Sequence, residues 1–472
     1  MRILLLSMPD VASSFDRVMR IPNLAIVSLA ANVRDAEVST LDLVLHSRNV
    51  GQAVEDALRK IEPDLVGLSA MTFQYPTARK VAKLVRKTLP RAKIVLGGYH
   101  ATLAYLEIAG DPDAAGIDFI IRGEGETPLN MLIAALGKGG DFAAIPGLSH
   151  RSQEGFVHNP SGGLNSLDEV DIPDRSSRLS GGFHYFGKPF DVVETSRGCP
   201  RNCRFCCIRG MYGGSYREYP IERVVEDIRR AGEAGARGIF FSDDNINLRP
   251  ERFRELCRAI VDRRLADMEF ISQADVAGFL ELPDLPSEMR RAGFSGVFLG
   301  IESVNRDTWR FLRKSNSWES TRKVVDALHA KGIAVAGGLI VGNPDDDADS
   351  VRASFRAPIS LGLDHAIMWC LTPYPGTEVR EDLMAEGLVA NPDRYDRYNG
   401  FICNVSTRKL TNRQIVRLIA AEGLKLYLHP SFIKQASIWR HSLPNMLTFC
   451  RTTLEYATKA PRNRLFESRH RM

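Results

Sequence analysis

Residues 196–206 read Ser-Arg-Gly-Cys-Pro-Arg-Asn-Cys-Arg-Phe-Cys, so Cys199, Cys203 and Cys206 form a C-x3-C-x2-C run. Three thiolates on one short loop can hold three irons of a cubane [4Fe-4S] cluster. The fourth iron then lacks a protein ligand and is open to the amino and carboxylate groups of a substrate amino acid. Arg201, Arg204 and Arg209 add positive charge, which favours thiolate over thiol. A structural zinc site takes four ligands in two pairs, and no second pair exists in the chain. Cys207 adjoins Cys206, a spacing that disfavours binding of both to one metal. The other cysteines, Cys257, Cys370, Cys403 and Cys450, are scattered and read as small buried hydrophobes rather than a disulfide framework.

Such a loop needs elements to hold it. Short apolar runs alternate with helical patterns from residue 190 onward: 191–196, 238–244, 269–276, 296–303, 334–342 and 365–373. In 222–236, Val224, Val225, Ile228 and Ala231 share one helical face. Six β/α units predict a three-quarter version of the eightfold barrel, with its site at the C-terminal ends of the strands. Residues 1–145 show the same alternation, with strand candidates at 3–7, 37–45, 65–71, 93–98 and 118–123. They predict a doubly wound, Rossmann-like parallel sheet, whose ligands also bind beyond the strand ends. Residues 146–189 are polar and rich in Gly and Ser, as expected of a small hairpin and linker. After residue 377 the alternation stops, and 411–429 and 432–458 read as helices. The expected fold class is α/β, divided as 1–145, 146–189, 190–377 and a helical 378–472.

With 472 residues the chain is long enough for two or three cores. Its net charge of +5 is small for that length and does not point to nucleic acid. No apolar run reaches the span of a bilayer, and the first residues read as a strand rather than a secretion signal. Free, unpaired cysteines suit a reducing, cytoplasmic setting.

Residues 190–377 resemble the radical S-adenosylmethionine superfamily, with its C-x3-C-x-aromatic-C signature at Cys199, Cys203, Phe205 and Cys206. Asp243, Asp244 and Asn245 stand where the family's glycine-rich segment binds the methionine amine. Gln273 and Asp275 end the third strand and Glu302 the fourth. Gly338, Ile340 and Gly342 look like the family's G-x-I-x-G motif beside adenine. The N-terminal region resembles cobalamin-binding domains: Ser69, Met71 and Thr72 follow one strand, Gly97 and Gly98 another, and Glu124, Gly125 and Glu126 a third. The histidine motif D-x-H-x-x-G after the first strand is missing, and neither His46 nor His100 replaces it by position; both read as polar loop residues.

Together these features are similar to cobalamin-dependent radical S-adenosylmethionine enzymes. The resemblance implies a [4Fe-4S] cluster, S-adenosylmethionine and cobalamin as cofactors, and methylation of an unactivated carbon of a small-molecule or lipid substrate. An electron donor such as flavodoxin or ferredoxin is implied. An oxidative cyclase or ring rearrangement uses the same parts, and a cobalamin-binding regulator with an inert cluster is the alternative of another class. No acid–base residue is expected. The basic, aromatic stretch 432–458, with Trp439, Arg440 and Arg451, reads as a barrel-closing helix or a peripheral membrane contact.

Overall fold

The computed structural model describes residues 1–9, 19–314 and 316–435. In the N-terminal half the strands are β1 (Arg2–Ser7), β2 (Met19–Arg20), β3 (Glu37–Asp42), β4 (Leu65–Ser69), β5 (Lys93–Gly97), β6 (Phe119–Ile121), β7 (Leu148–Ser152) and β8 (Gly155–His158). Five of them form a parallel sheet in the order β3-β1-β4-β5-β6, a doubly wound arrangement. β1 is buried from Ile3 to Ser7, as a strand covered on both faces must be. One face carries Leu4, Leu6, Val66 and Leu96 against the helices Val50–Ile61 and Tyr75–Thr88. The other carries Ile3, Leu5 and Val95 against Leu24–Asn32 and Glu126–Lys138. The register aligns Ser7 with Asp42 and Ser69, and Ser69 with Gly97, so one sheet edge gathers the strand ends. The hairpin expected within 146–189 forms as β7 and β8, and it extends this first sheet antiparallel to β6.

The second half contributes β9 (His184–Tyr185), β10 (Lys188–Val193), β11 (Ser196–Arg197), β12 (Arg217–Glu218), β13 (Gly238–Phe241), β14 (Glu269–Ala274), β15 (Phe294–Glu302), β16 (Ala334–Val341) and β17 (His365–Cys370). Six are parallel in the order β10-β13-β14-β15-β16-β17, the curled partial barrel expected. β9 adds antiparallel to β10, and β2 pairs with β9. A strand from the N-terminal half therefore ends in the sheet of the second half. Phe241, Phe253, Phe270 and Phe294 pack together between the barrel strands and their outer helices.

Of the two C-terminal helices expected, the first is Asn412–Tyr427, lying along Ala348–Leu361. The second starts as Pro430–Gln435, with Phe432 buried. The rest of that stretch, including Trp439, Arg440 and Arg451, lies outside the described residues. Among the described residues no helix is long and apolar enough to cross a membrane.

Candidate functional site

The chain leaves β10 at Val193, pairs Ser196–Arg197 with Arg217–Glu218, and turns at Gly198 into the cysteine loop. Gly198 has φ +86°, and a Cβ there would collide with the Ser215 carbonyl, so glycine is required. The loop closes with the Cys206 amide donating to the Cys203 carbonyl (3.1 Å) and ends in the helix Ile208–Tyr212. Cys199, Cys203 and Cys206 are free and half-buried. Among the described residues no group of three or more His, Cys, Asp or Glu is placed to hold a single ion. A tetrahedral zinc, with Zn–S of about 2.3 Å, would need such a group; three thiols spread over one loop fit a larger cubane. Burial raises the thiols of Cys199 and Cys203 against the pull of Arg201 and Lys314. Arg201 thus favours thiolate, as expected, but burial outweighs it, and a coordinating metal would complete the deprotonation. Arg201 pairs with Asp275 (2.9 Å), and Arg204 is occupied by Glu378 and Asp382. Phe205 anchors the loop against the cluster of Leu312, Ile340 and Cys370.

The three residues after β13 divide in role. Asp243 is fully buried and accepts from the Thr195 amide (3.0 Å), Thr195 Oγ1 (2.7 Å) and Ser196 Oγ (2.5 Å). Its oxygens hold the start of the cysteine loop. Asp244 is a different case: burial, then the charge of Asp243, push its pKa up to about 7, while the Gly198 amide donates to it. The buried Asn245 Oδ1 has no hydrogen-bond partner. An unpaired buried acceptor costs stability unless a donor arrives. An ammonium group is such a donor, so Asp244 and Asn245 fit the amine of S-adenosylmethionine.

Glu302 ends β15 at φ +65°, and its carboxylate is engaged by Lys314 (3.1 Å). Lys314, half-buried near Cys203 and Asp275, was not singled out from the sequence and carries no motif there. Its ammonium is held well above its ordinary range because Glu302 and Cys203 outweigh the burial cost. Gln273 faces the barrel interior. Gly338 is glycine because a Cβ would stand 2.6 Å from the Phe298 ring. Gly342 sits at φ +88° and donates its amide to Asp346 (2.9 Å). Ile340 is buried among Leu312, Cys370 and Leu371.

The first sheet presents its strand ends to this loop. A Cβ on Gly210 would stand 2.5 Å from Leu103, and one on Gly376 3.3 Å from the same side chain. Tyr99, directly after Gly98, is half-buried; burial and the charges of Tyr212, Asp244, Cys207 and Cys206 raise its pKa. Sequence reasoning missed this tyrosine, whose only signal is its place after the two glycines. Gly97 would place a Cβ in open space, with nothing within 4 Å. Gly98 differs: φ is +96° and a Cβ would meet the Ala70 carbonyl at 2.8 Å. Gly97 therefore opens on free space at the strand end, with Ser69 half-buried, Met71 exposed and Thr72 buried on the neighbouring strand end.

Glu124 and Glu126, expected beside cobalamin, pair with arginines that flank the cysteine loop. Glu124 binds Arg197 (3.1 Å) and Arg217 (2.8 and 3.0 Å), and Glu126 binds Arg197 (2.8 Å). Glu194 adds a third carboxylate to Arg197 (2.8 Å), and Gly125 packs on Leu29. Burial opposes the Arg197 charge, but Glu194 and Glu126 outweigh it and hold its pKa far up. His100, expected as a polar loop residue, is helical and completely buried between Tyr75 and Tyr395, with both ring nitrogens unpartnered. His46 stays at the rim, near Ser180 (3.4 Å).

A cysteine loop at the mouth of a partial barrel, met by the strand ends of a doubly wound domain, defines a radical enzyme with a second cofactor domain. Residues 193–356 match the radical SAM superfamily and residues 16–133 the B12 binding domain. A Chlorobaculum tepidum protein named bacteriochlorophyllide d C-12(1)-methyltransferase is 31% identical over 71% of this chain and 69% of its own length. A Pyrococcus horikoshii protein named an uncharacterized methyltransferase is 29% identical over 91% of this chain and 93% of its own. A Synechocystis protein named anaerobic magnesium-protoporphyrin IX monomethyl ester cyclase is 27% identical over 71% and 67%. The structure of the radical S-adenosylmethionine methyltransferase TsrM from Kitasatospora setae, with cobalamin and a [4Fe-4S] cluster bound, shares the fold. It has a TM-score of 0.69, with 19% identity over 89% of this chain and 85% of that one. The chain belongs to the cobalamin-dependent radical S-adenosylmethionine enzymes, whose cofactors are the [4Fe-4S] cluster, S-adenosylmethionine and cobalamin.

Proposed function

We propose that this enzyme methylates an unactivated carbon of a small-molecule or lipid substrate. The carrying observation is that Leu103, in the helix that follows Gly97 and Gly98, packs on Gly210 of the helix after the cysteine loop and on Gly376 after the last barrel strand. That geometry supports a methyl donor and a radical source sharing one cleft. Bound together, the cofactors supply an electron, a 5′-deoxyadenosyl radical that removes hydrogen, and a methyl group. The chain itself orients and excludes water. In this reading Cys199, Cys203 and Cys206 hold the cluster, and Asp244 and Asn245 hold the amine of S-adenosylmethionine. Lys314, neutralised by Glu302 in the free chain, turns its ammonium to the methionine carboxylate. Gly97 leaves room for cobalamin, and a flavodoxin or ferredoxin delivers electrons.

A second reading, oxidative cyclisation, is favoured by the similarity to the Synechocystis cyclase. The test is anaerobic turnover in source-cell extract with S-adenosylmethionine carrying a deuterated methyl group. A product that retains the whole labelled methyl group, formed together with 5′-deoxyadenosine, supports methylation. A product that loses hydrogen and carries no label replaces it with cyclisation.

A further inference from the structure

Among the described residues the barrel is not filled. In eightfold barrels layers of side chains pack the interior, but here the inward positions of the strands remain half-exposed. Along β14 the pattern is strict: Phe270, Ser272 and Ala274 are buried outward, while Glu269, Ile271 and Gln273 face an open lumen. The cavity measures about 1560 Å³. Its walls are Phe240, Ile271, Phe298, Ala336, Ile367 and Trp369. Large aromatic side chains left uncovered in a cavity mark a place for an apolar ligand.

The cavity has a polar mouth and an inner end. The mouth lies at the start of the strands, where Lys188, Arg290 and Lys434 stand. Lys188 is paired with Glu269, whereas Arg290 and Lys434 have no carboxylate partner among the described residues. The inner end is marked by Gln273, whose side-chain amide has no hydrogen-bond partner among the described residues. Gln273 stands two residues before Asp275, which pairs with Arg201 of the cysteine loop. Two residues of strand advance about 7 Å, so the lumen ends one layer below the cleft. At the cleft itself the first domain covers the loop through Tyr99 and Leu103.

We propose that the lumen is the substrate channel, and that it takes an amphiphile: an apolar body along the aromatic wall, with a polar end at the mouth. The reacting end then approaches the cleft from below, opposite to the cofactor domain. This rests on the methyltransferase reading for its chemistry, not for its binding.

The test is equilibrium binding of dansyl-undecanoic acid, followed by fluorescence, to the full-length protein. Saturable binding is expected, weakened about tenfold by Ala336→Phe, which fills the lumen beside Phe298. Gly296→Leu is the second variant, because its Cβ meets neighbours only at 3.8 Å or more. Each variant must keep the wild-type melting curve and iron content; Leu106→Ser, at an exposed position, controls for adventitious apolar binding. Equal binding in both filled variants, or none in the wild type, overturns the proposal. So does binding that appears only when the chain is shortened to end at Gln435, which would assign the lumen to the chain's own C-terminal residues. A protein that binds the probe but transfers no methyl group instead overturns the functional reading and leaves the channel standing.

Discussion

The two parallel sheets end in opposite chemistry. The edge of the first is made of missing side chains: Gly97 opens on empty space, Gly98 bends at φ +96°, and Ser69 is the small polar residue beside them. The edge of the barrel is made of charge: Asp244, Asp275 with Arg201, and Glu302 with Lys314, around three thiols. A large, preassembled cofactor needs room, which side chains would take away. A zwitterionic amino-acid moiety and a metal cluster need ligands, which only side chains supply. One barrel-edge carboxylate, Asp243, is engaged by the scaffold at Thr195 and Ser196.

If the charged edge holds the cluster, removing its thiols should have the largest effect of any change. The Cys199→Ala, Cys203→Ala, Cys206→Ala triple variant is expected to lose all iron after anaerobic reconstitution and all cleavage of S-adenosylmethionine. Iron analysis and detection of 5′-deoxyadenosine check both; retention of close to four irons would end the assignment. Cys207→Ala should keep its iron.

The junction between the two edges is tested next. Arg197 binds Glu124 and Glu126 of the first domain and Glu194 of the barrel, all within 3.1 Å. Arg197→Leu would leave Glu126 and Glu194 without their cation and Glu124 with Arg217 alone, at a cost of about 3–5 kcal/mol. Urea unfolding should show that loss, and Arg197→Lys should recover part of it, since it restores the charge without the planar fork. A variant as stable as the wild type would mean that the ion pairs do not tie the domains.

Much of each edge was legible in the sequence. The cysteine loop was, because its ligands lie within eight residues of one another. The strands were, because parallel strands buried on both faces read as apolar runs. The partners across the junction were not. Glu124 and Arg197 are 73 residues apart, and nothing local says that a Gly-Glu-Gly-Glu segment closes on an arginine. Lys314 meets Glu302 only because β15 turns at a positive φ. The two glycines also looked alike. Only the backbone separates Gly98, needed for its conformation, from Gly97, needed for its emptiness.

That last distinction sharpens the comparison. Gly97→Val should abolish cobalamin binding, because a branched side chain enters the open space. It should still form 5′-deoxyadenosine, since the barrel edge is untouched. Gly98→Ala should instead lower stability by about 1–3 kcal/mol, through its strained φ and its contact with Ala70. Cobalamin absorbance after gel filtration and thermal melts read the two outcomes. Normal cofactor retention by Gly97→Val would move the cofactor away from this edge.

The smallest effect concerns His100, which lies behind the glycine edge and not on it. Its ring is sealed between Tyr75 and Tyr395, with Arg79 and Arg380 adding positive charge and Asp111 the opposing one. Burial, then the arginines, push its pKa down to about 3, against about 6.5 in an unfolded chain. The folded state therefore binds fewer protons than the unfolded state between those values. The benefit of a neutral ring is complete above pH 6.5 and is lost as pH falls toward 3, at about 1.4 kcal/mol per unit. His100→Leu removes the group that titrates. It also removes two buried nitrogens without partners, so at pH 7 it should cost little. Between pH 7 and pH 5 the wild type should lose about 2 kcal/mol more than the variant in urea unfolding. Identical pH dependence would show that His100 exchanges no proton on unfolding. A larger loss in the variant would show that the imidazole is charged in the folded protein, in which case Asp111 outweighs both burial and the arginines.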